Sequence, residues 1–137
     1  MSTLHCRIVT PQGVYKEFDT DIVNIETLDG QQGILPNHMP IVTMLKVGKM
    51  KTTESGKREE YAVAGGLFSF RDNLAEIFTD AIENKNDIDI DRAERAKERA
   101  EKRLQSKDPN IDLVRAQAAL EKALNRLKVT GRSINNL

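Results

Sequence analysis

The chain has 137 residues, with 21 Lys+Arg against 21 Asp+Glu, so its formal net charge is zero. Charged residues make up 31%, aromatic residues only 4%, and there is no Trp. This excludes a base-stacking nucleic-acid platform, which needs several exposed rings, and any overall field drawing the chain toward DNA or anionic lipid.

In chain order, strand-like runs appear at 4–9, 14–18, 22–27, 41–45, 49–53, 59–64, 67–70 and 74–79. Turn chemistry falls between them at Pro11-Gln12-Gly13, Asp29-Gly30, Ser55-Gly56, Gly65-Gly66 and Asp72-Asn73. Such spacing predicts an antiparallel β-sandwich. Tyr61 and Val63 alternate with Glu60 and Ala62, and Phe68 and Phe70 flank Ser69, so one face is buried and the other wet. The first run contains Cys6, the only cysteine, which allows no internal disulfide and fits a reducing compartment. The start has no signal-peptide layout, and no apolar run approaches the ~18 residues of a membrane span.

Between the third and fourth runs lies Gly30-Gln-Gln-Gly33-Ile34-Leu35-Pro36-Asn37-His38-Met39-Pro40. Its two prolines fix φ and remove donors, so it reads as a stiff loop. His38 has no Cys/His partners in a ligand pattern and is expected to bond loop backbone rather than a metal.

Near Asp87 the pattern changes. From 91 to 103 the only uncharged residues are Ala93, Ala96 and Ala100, a high-propensity helix with Asp91–Arg95 and Glu98–Lys102 at i,i+4 spacing. Ile90, Ala93, Ala96, Ala100 and Leu104 form a narrow, small-residue stripe that buries little area. Asp108-Pro109 is placed to start a second helix, with Leu113, Ala116, Leu120, Ala123, Leu124 and Leu127 at helical spacing. Gly131 ends it, and 132–137 reads as a mobile tail. The expected layout is α+β: a sandwich domain over 1–86 and a two-helix antiparallel hairpin over 87–137.

No phosphate loop, Ser/His/Asp or Cys/His arrangement is present, and the carboxylate pairs Asp19/Asp21 and Glu59/Glu60 show no pattern beyond solvation. The chain is therefore not expected to be an enzyme. Charge is concentrated at the helices. Arg92, Arg99 and Arg103 share one face of the first, and Arg115, Lys122 and Arg126 align on the second. From Leu113 onward, five basic residues, including Lys128 and Arg132, face one acid, Glu121. Two such stripes suit a polyphosphate or an acidic partner surface, although exposed basic stripes also occur as solvated faces. Asp89 occupies a helix N-cap position.

Gly33-x-Leu35-Pro36-x-His38-x-Pro40, Leu45-Lys-Val-Gly48, Gly65-Gly66 and Ala119-Leu-Glu-Lys-Ala-Leu-Asn-Arg-Leu127 together resemble the epsilon subunit of the rotary F-type ATP synthase, over nearly the whole chain. The resemblance implies a non-catalytic central-stalk (rotor) subunit, peripheral on the cytoplasmic face of the cell membrane. Its sandwich would grip the gamma subunit and rest on the ring of c subunits. Its hairpin would fold down or extend toward the alpha/beta hexamer and inhibit ATP hydrolysis through Arg115, Lys122 and Arg126. The segment Ile88-Asp89-Ile90-Asp91-Arg92-Ala93 matches the ATP-site pattern of bacillus-type members. That match assigns Glu83, Ile88, Asp89 and Ala93 to adenine, and Arg92 and Arg99 to phosphate, with Arg126 also available. ATP would be a regulatory ligand, with the role of magnesium left open. Lys122 departs from relatives that carry arginine, keeping the charge but losing the fork. Two alternatives remain: the same rotor subunit without an ATP site, and an unrelated small-ligand-binding sandwich with a helical adaptor.

Overall fold

A computed structural model describes residues 2–131; the tail predicted at 132–137 lies outside the described residues. The chain divides into two compact units, one ending at Asn84 and the other beginning at Lys85.

The first unit contains β1 (Leu4–Thr10), β2 (Gly13–Thr20), β3 (Val23–Thr27), β4 (Gly30–Ile34), β5 (Ile41–Glu54), β6 (Lys57–Arg71), β7 (Leu74–Phe78) and β8 (Ile82–Asn84). Hydrogen bonding follows the path β2-β1-β7-β6-β5-β3-β4, with β8 on β6. The path closes over itself. Lys16 of β2 donates to the Tyr61 hydroxyl of β6 at 2.8 Å and pairs with Glu54 of β5, though β2 and β5 are not neighbours in the path. The Thr53 amide also donates to the Thr20 hydroxyl at 3.0 Å. The period-two alternation directs Leu4, Cys6, Ile8, Val23, Ile25, Met50, Tyr61, Phe68, Phe70 and Ile77 into one core. Burying each large side chain contributes about 1.5–3 kcal/mol.

Tight turns set the register. Ser55-Gly56 and Asp72-Asn73 have positive φ at both central residues, the backbone of the right-twisting two-residue hairpin.

The strands depart from expectation in four places. The runs at 41–45 and 49–53 are one strand, β5, and those at 59–64 and 67–70 are one strand, β6. Gly65-Gly66, read as a turn, is instead a kink with φ +82° and +131°. It lets the lower part of β6 pair with β7 while the upper part pairs with β8. The start of the predicted stiff loop is strand β4, because the turn at Gly30 sends 30–34 back along β3; only 35–40, with both prolines, stays outside the ladder. Finally, the sheet is antiparallel except for one pair: β1 runs parallel to β7.

The loop-backbone bond expected of His38 is present. Its Nδ1–H donates to the Met39 carbonyl at 2.7 Å and its ring meets Phe70 edge-on at 6.0 Å. No group of three potential metal ligands occurs among the described residues.

The second unit holds a short 3-10 turn (Lys85–Asp87) followed by α1 (Ile90–Gln105) and α2 (Leu113–Val129), which pack on each other. Their short connection makes them antiparallel. Asp89 caps α1, its carboxylate accepting from the Arg92 amide at 3.1 Å. Asp112 caps α2 in the same way, accepting from the Arg115 amide at 3.0 Å. Asp108-Pro109 therefore does not start the second helix. Asp108 instead accepts from the Asn110 amide, making a turn that postpones the helix to Leu113. Gly131, at φ +82°, follows the last turn as predicted.

The contact stripe is richer in alanine than the leucine pattern suggested. Ala93 and Ala100 of α1 and Ala116, Ala123, Leu127 and Val129 of α2 are buried, whereas Leu120 and Leu124 are half-buried and Leu113 is exposed. The pairs Asp91–Arg95 and Glu98–Lys102 do not close among the described residues. Such exposed pairs return a few tenths of a kcal/mol against the entropy of two long side chains.

Candidate functional site

The residues singled out at the junction fall into two groups. Glu83 lies in β8 of the first unit, opposite Ala62 of β6, and is half-buried. Ile88, Asp89, Arg92, Ala93, Arg99 and Arg126 belong to the second unit. Within it, Ile88 and Ala93 are buried, while Asp89, Arg92 and Arg99 are exposed. Asp89 thus has a structural task already, holding the Arg92 amide rather than pairing with its guanidinium.

Helix geometry brings the cations together. At about 100° per residue, the residue just before a buried contact lies on one flank of the helix and the residue just after it on the other. Arg92 and Arg99 immediately precede buried Ala93 and Ala100, and Arg103 falls on the same flank. Arg115, Lys122 and Arg126 immediately precede buried Ala116, Ala123 and Leu127. In an antiparallel pair of right-handed helices these two flanks lie on the same side. One face of the hairpin is therefore lined by Arg92, Arg99, Arg103, Arg115, Lys122 and Arg126. The opposite flank of α1 carries Glu94, Glu98 and Glu101.

Axial position follows from the 1.5 Å rise of each helix. Arg92 lies thirteen residues before the end of α1 at Gln105, and Arg126 thirteen after the start of α2 at Leu113. Lys122 lies one turn before Arg126 on α2, and Arg115 in the first turn of that helix.

The residues that sequence reasoning missed lie in the sandwich. Met44 of β5 pairs with Leu67 of β6, and Leu67 with Phe78 of β7. The Leu28 amide donates to the Met44 carbonyl at 3.1 Å, extending the row. Leu28, Met44 and Phe78 are exposed, with Val42, 68% exposed, beside them on β5. The signal was an apolar residue at the outward position of an alternating strand, where a polar one is the rule.

Comparisons with known proteins agree with this architecture. The family model described as ATP synthase, Delta/Epsilon chain, beta-sandwich domain matches residues 3–85. The model described as ATP synthase, Delta/Epsilon chain, long alpha-helix domain matches residues 86–131. An ATP synthase epsilon chain from Halalkalibacterium halodurans is 46% identical over 133 residues, covering 96% of this chain and all of the relative. One from Bacillus licheniformis is 40% identical, covering 94% of this chain and 98% of the relative. The fold also matches a chain in the cryo-EM structure of the Euglena gracilis mitochondrial ATP synthase, with a TM-score of 0.77 at 22% identity, covering 91% of this chain and 79% of that one. No helix among the described residues is long and apolar enough to cross a membrane. The chain belongs to the delta/epsilon family of ATP synthase chains, on the side of the epsilon chains.

Proposed function

We propose that this epsilon chain is a central-stalk subunit whose sandwich attaches the rotor parts and whose hairpin is an ATP-responsive brake on hydrolysis. The apolar row Leu28–Met44–Leu67–Phe78 suits attachment to the gamma subunit, since a contiguous exposed apolar strip on a sheet face is costly unless a partner covers it. The loop 35–40 is the segment proposed to meet the ring of c subunits. The chain does no chemistry of its own; it binds, reports and blocks, at the cytoplasmic face of the membrane-bound complex.

The observation that carries the switch is the one-sided cationic face of a hairpin held together largely by alanines. Guanidinium forks pair bidentately with phosphate oxygens, and the flanks that carry Arg92 and Arg126 lie on the same side of the hairpin. A triphosphate bridging α1 and α2 binds only while the two are packed together. ATP therefore favours the closed hairpin by RT ln(1 + [L]/Kd), about 2.7 kcal/mol at a hundredfold excess. When ATP falls, the hairpin opens and the same cations become available to an acidic surface of the alpha/beta hexamer. Arg115, Lys122 and Arg126 are the proposed inhibitory contacts. Ile88, Asp89 and Ala93 are the proposed adenine side of the site.

Calorimetric titration of the isolated chain with ATP, with and without magnesium, tests the reading. Binding is expected, and Arg92→Ala is expected to weaken it about tenfold or more, the loss of a charge-assisted hydrogen bond of about 1.5–3 kcal/mol. Unchanged affinity removes Arg92 from the site. A second reading, a rotor subunit without an ATP site, is favoured by the cap role already filled by Asp89. It predicts no heat of binding at all.

A further inference from the structure

The outer face of β1 and β2 carries a charge cluster that neither rotor attachment nor the hairpin switch uses. His5 of β1 stands between two carboxylates of edge strand β2. Its Nε2 lies 2.9 Å from Glu17 Oε1 and its Nδ1 lies 2.9 Å from Asp19 Oδ1. Ionised carboxylates only accept hydrogen bonds, and a neutral imidazole has one N–H and one lone pair. Both contacts are satisfied together only by the doubly protonated ring.

The surrounding groups make the two carboxylates unequal. Glu17 Oε1 also accepts from Arg7 Nε at 3.2 Å, and Arg7 in turn reaches Glu76 of β7 at 3.3 Å. Among the described residues the Asp19 side chain pairs only with His5, and it is 68% exposed. Opposite His5 on β7 is the uncharged Leu74, and the His5 amide donates to the Asn73 carbonyl. The cations facing this patch are thus His5 and Arg7, and the anions Glu17, Asp19 and Glu76. Without its second proton His5 keeps one N–H and can hold only one of the two carboxylates, the other then facing the ring's lone pair; of the two, only Glu17 has a further cation, Arg7.

We propose that His5, Glu17 and Asp19 form a proton-operated clasp across the β1/β2 ladder: doubly protonated His5 holds both carboxylates of β2, and loss of one proton to solvent frees one of them and loosens that end of the strand. The Glu17 hydrogen bond first, and the Asp19 hydrogen bond second, raise the His5 pKa above its ordinary value. The sign follows. The clasp is complete below the unfolded-state value of about 6.5 and is lost as pH rises through the higher folded value. β2 makes its ladder only with β1; its other ties, the Thr53 amide to the Thr20 hydroxyl and Lys16 to Glu54, lie toward the core, so the loosening is confined to the outer face.

The test uses the full chain. The His5 ring is titrated by NMR between pH 5.5 and 9, alongside the Asp19 carboxyl and the exchange protection of Phe18 and Thr20, corrected for intrinsic exchange. The expected result is a His5 midpoint above about 6.5, with Asp19 moving at the same midpoint. Protection at the end of β2 should fall across it by no more than about fivefold, the ceiling for an exposed ion pair. Glu17→Gln and Asp19→Asn should each lower the midpoint, Glu17→Gln by more. His5→Gln should abolish the pH dependence of protection. A His5 midpoint at or below the ordinary value overturns the clasp. A raised midpoint with constant β2 protection overturns the loosening.

Discussion

Replacing Gly66 by alanine probes the kink that lets one long strand serve two neighbours. Gly66 has φ +131°, and a Cβ built there stands 1.9 Å from the Phe78 carbonyl oxygen and 3.0 Å from its carbon. Those are backbone atoms, held in place because Leu67 pairs with Phe78 in the β6/β7 ladder. Gly13 offers the matching control: φ is +117°, with nothing within 4 Å of its Cβ. Gly13→Ala therefore reports backbone strain alone, about 1–3 kcal/mol. Gly66→Ala adds overlap with an immovable carbonyl, about 1–3 kcal/mol more, for a total of about 2–6 kcal/mol. At about 4–8 °C per kcal/mol for a domain of this size, the extra about 1–3 kcal/mol should make Gly66→Ala melt about 4–24 °C below Gly13→Ala. The readout is unusually clean: Tyr15 and Tyr61 are the only tyrosines, there is no Trp, and both tyrosines lie in the sandwich, so tyrosine emission follows that unit. If the two variants lose stability equally, the close approach of β7 to the kink is refuted.

Ala123→Leu, at a fully buried position of α2, should cost the hairpin about 1–3 kcal/mol by overpacking. Helical circular dichroism should melt earlier, tyrosine emission should not change, and ATP affinity should fall. Burial, with a smaller contribution from the Glu54 charge, pushes the Cys6 thiol up to about 12. A chromogenic disulfide reagent at pH 8 should leave it unmodified until denaturant unfolds the sandwich; rapid reaction of the native protein would contradict its burial. Burial raises the Glu54 carboxyl, but hydrogen bonds from Lys16, Thr52 and Tyr61 outweigh it and hold the pKa below the usual range. Its contribution is thus present above the unfolded value of about 4.3 and lost as pH falls through the lower folded value. Glu54→Gln should flatten the acid limb of sandwich stability measured by urea unfolding; an unaltered limb would show that the carboxylate is not linked to folding.

What the amino-acid order revealed was mostly local. Alternation in 59–70 marked Tyr61, Val63, Phe68 and Phe70 as buried, although Ala62, read as lying on the wet face, is buried too, and the hairpin turns at Ser55-Gly56 and Asp72-Asn73 carried their own chemistry. The Asp89 cap and the i, i+7 spacing of Arg92 and Arg99 were equally readable, since both depend on a single helix. Tertiary pairing decided the rest. Gly65-Gly66 looks like a turn until β7 and β8 claim the two halves of β6. The parallel β1/β7 pair has no local signature, because nothing in either strand names its neighbour. The second helix began late because Asp108-Pro109 and Asp112 both suit a cap, and only Asp112 accepts from an amide at the first turn. The common face of the six cations needed the direction of both helices, which no single-helix pattern contains.

The parallel β1/β7 pair also sets the order in which the molecule is made. His5 finds its partner Leu74 only after sixty-nine further residues have been added. As the chain leaves the ribosome, β1 has β2 on one side and an open edge on the other for most of synthesis. Non-local pairing of this kind is slow, because the loop must close before any contact rewards it. The helices depend on near neighbours and form within microseconds of emerging. The newborn protein therefore completes its last segment faster than its first, and an open β1 edge, rather than the helices, is where a chaperone would be needed.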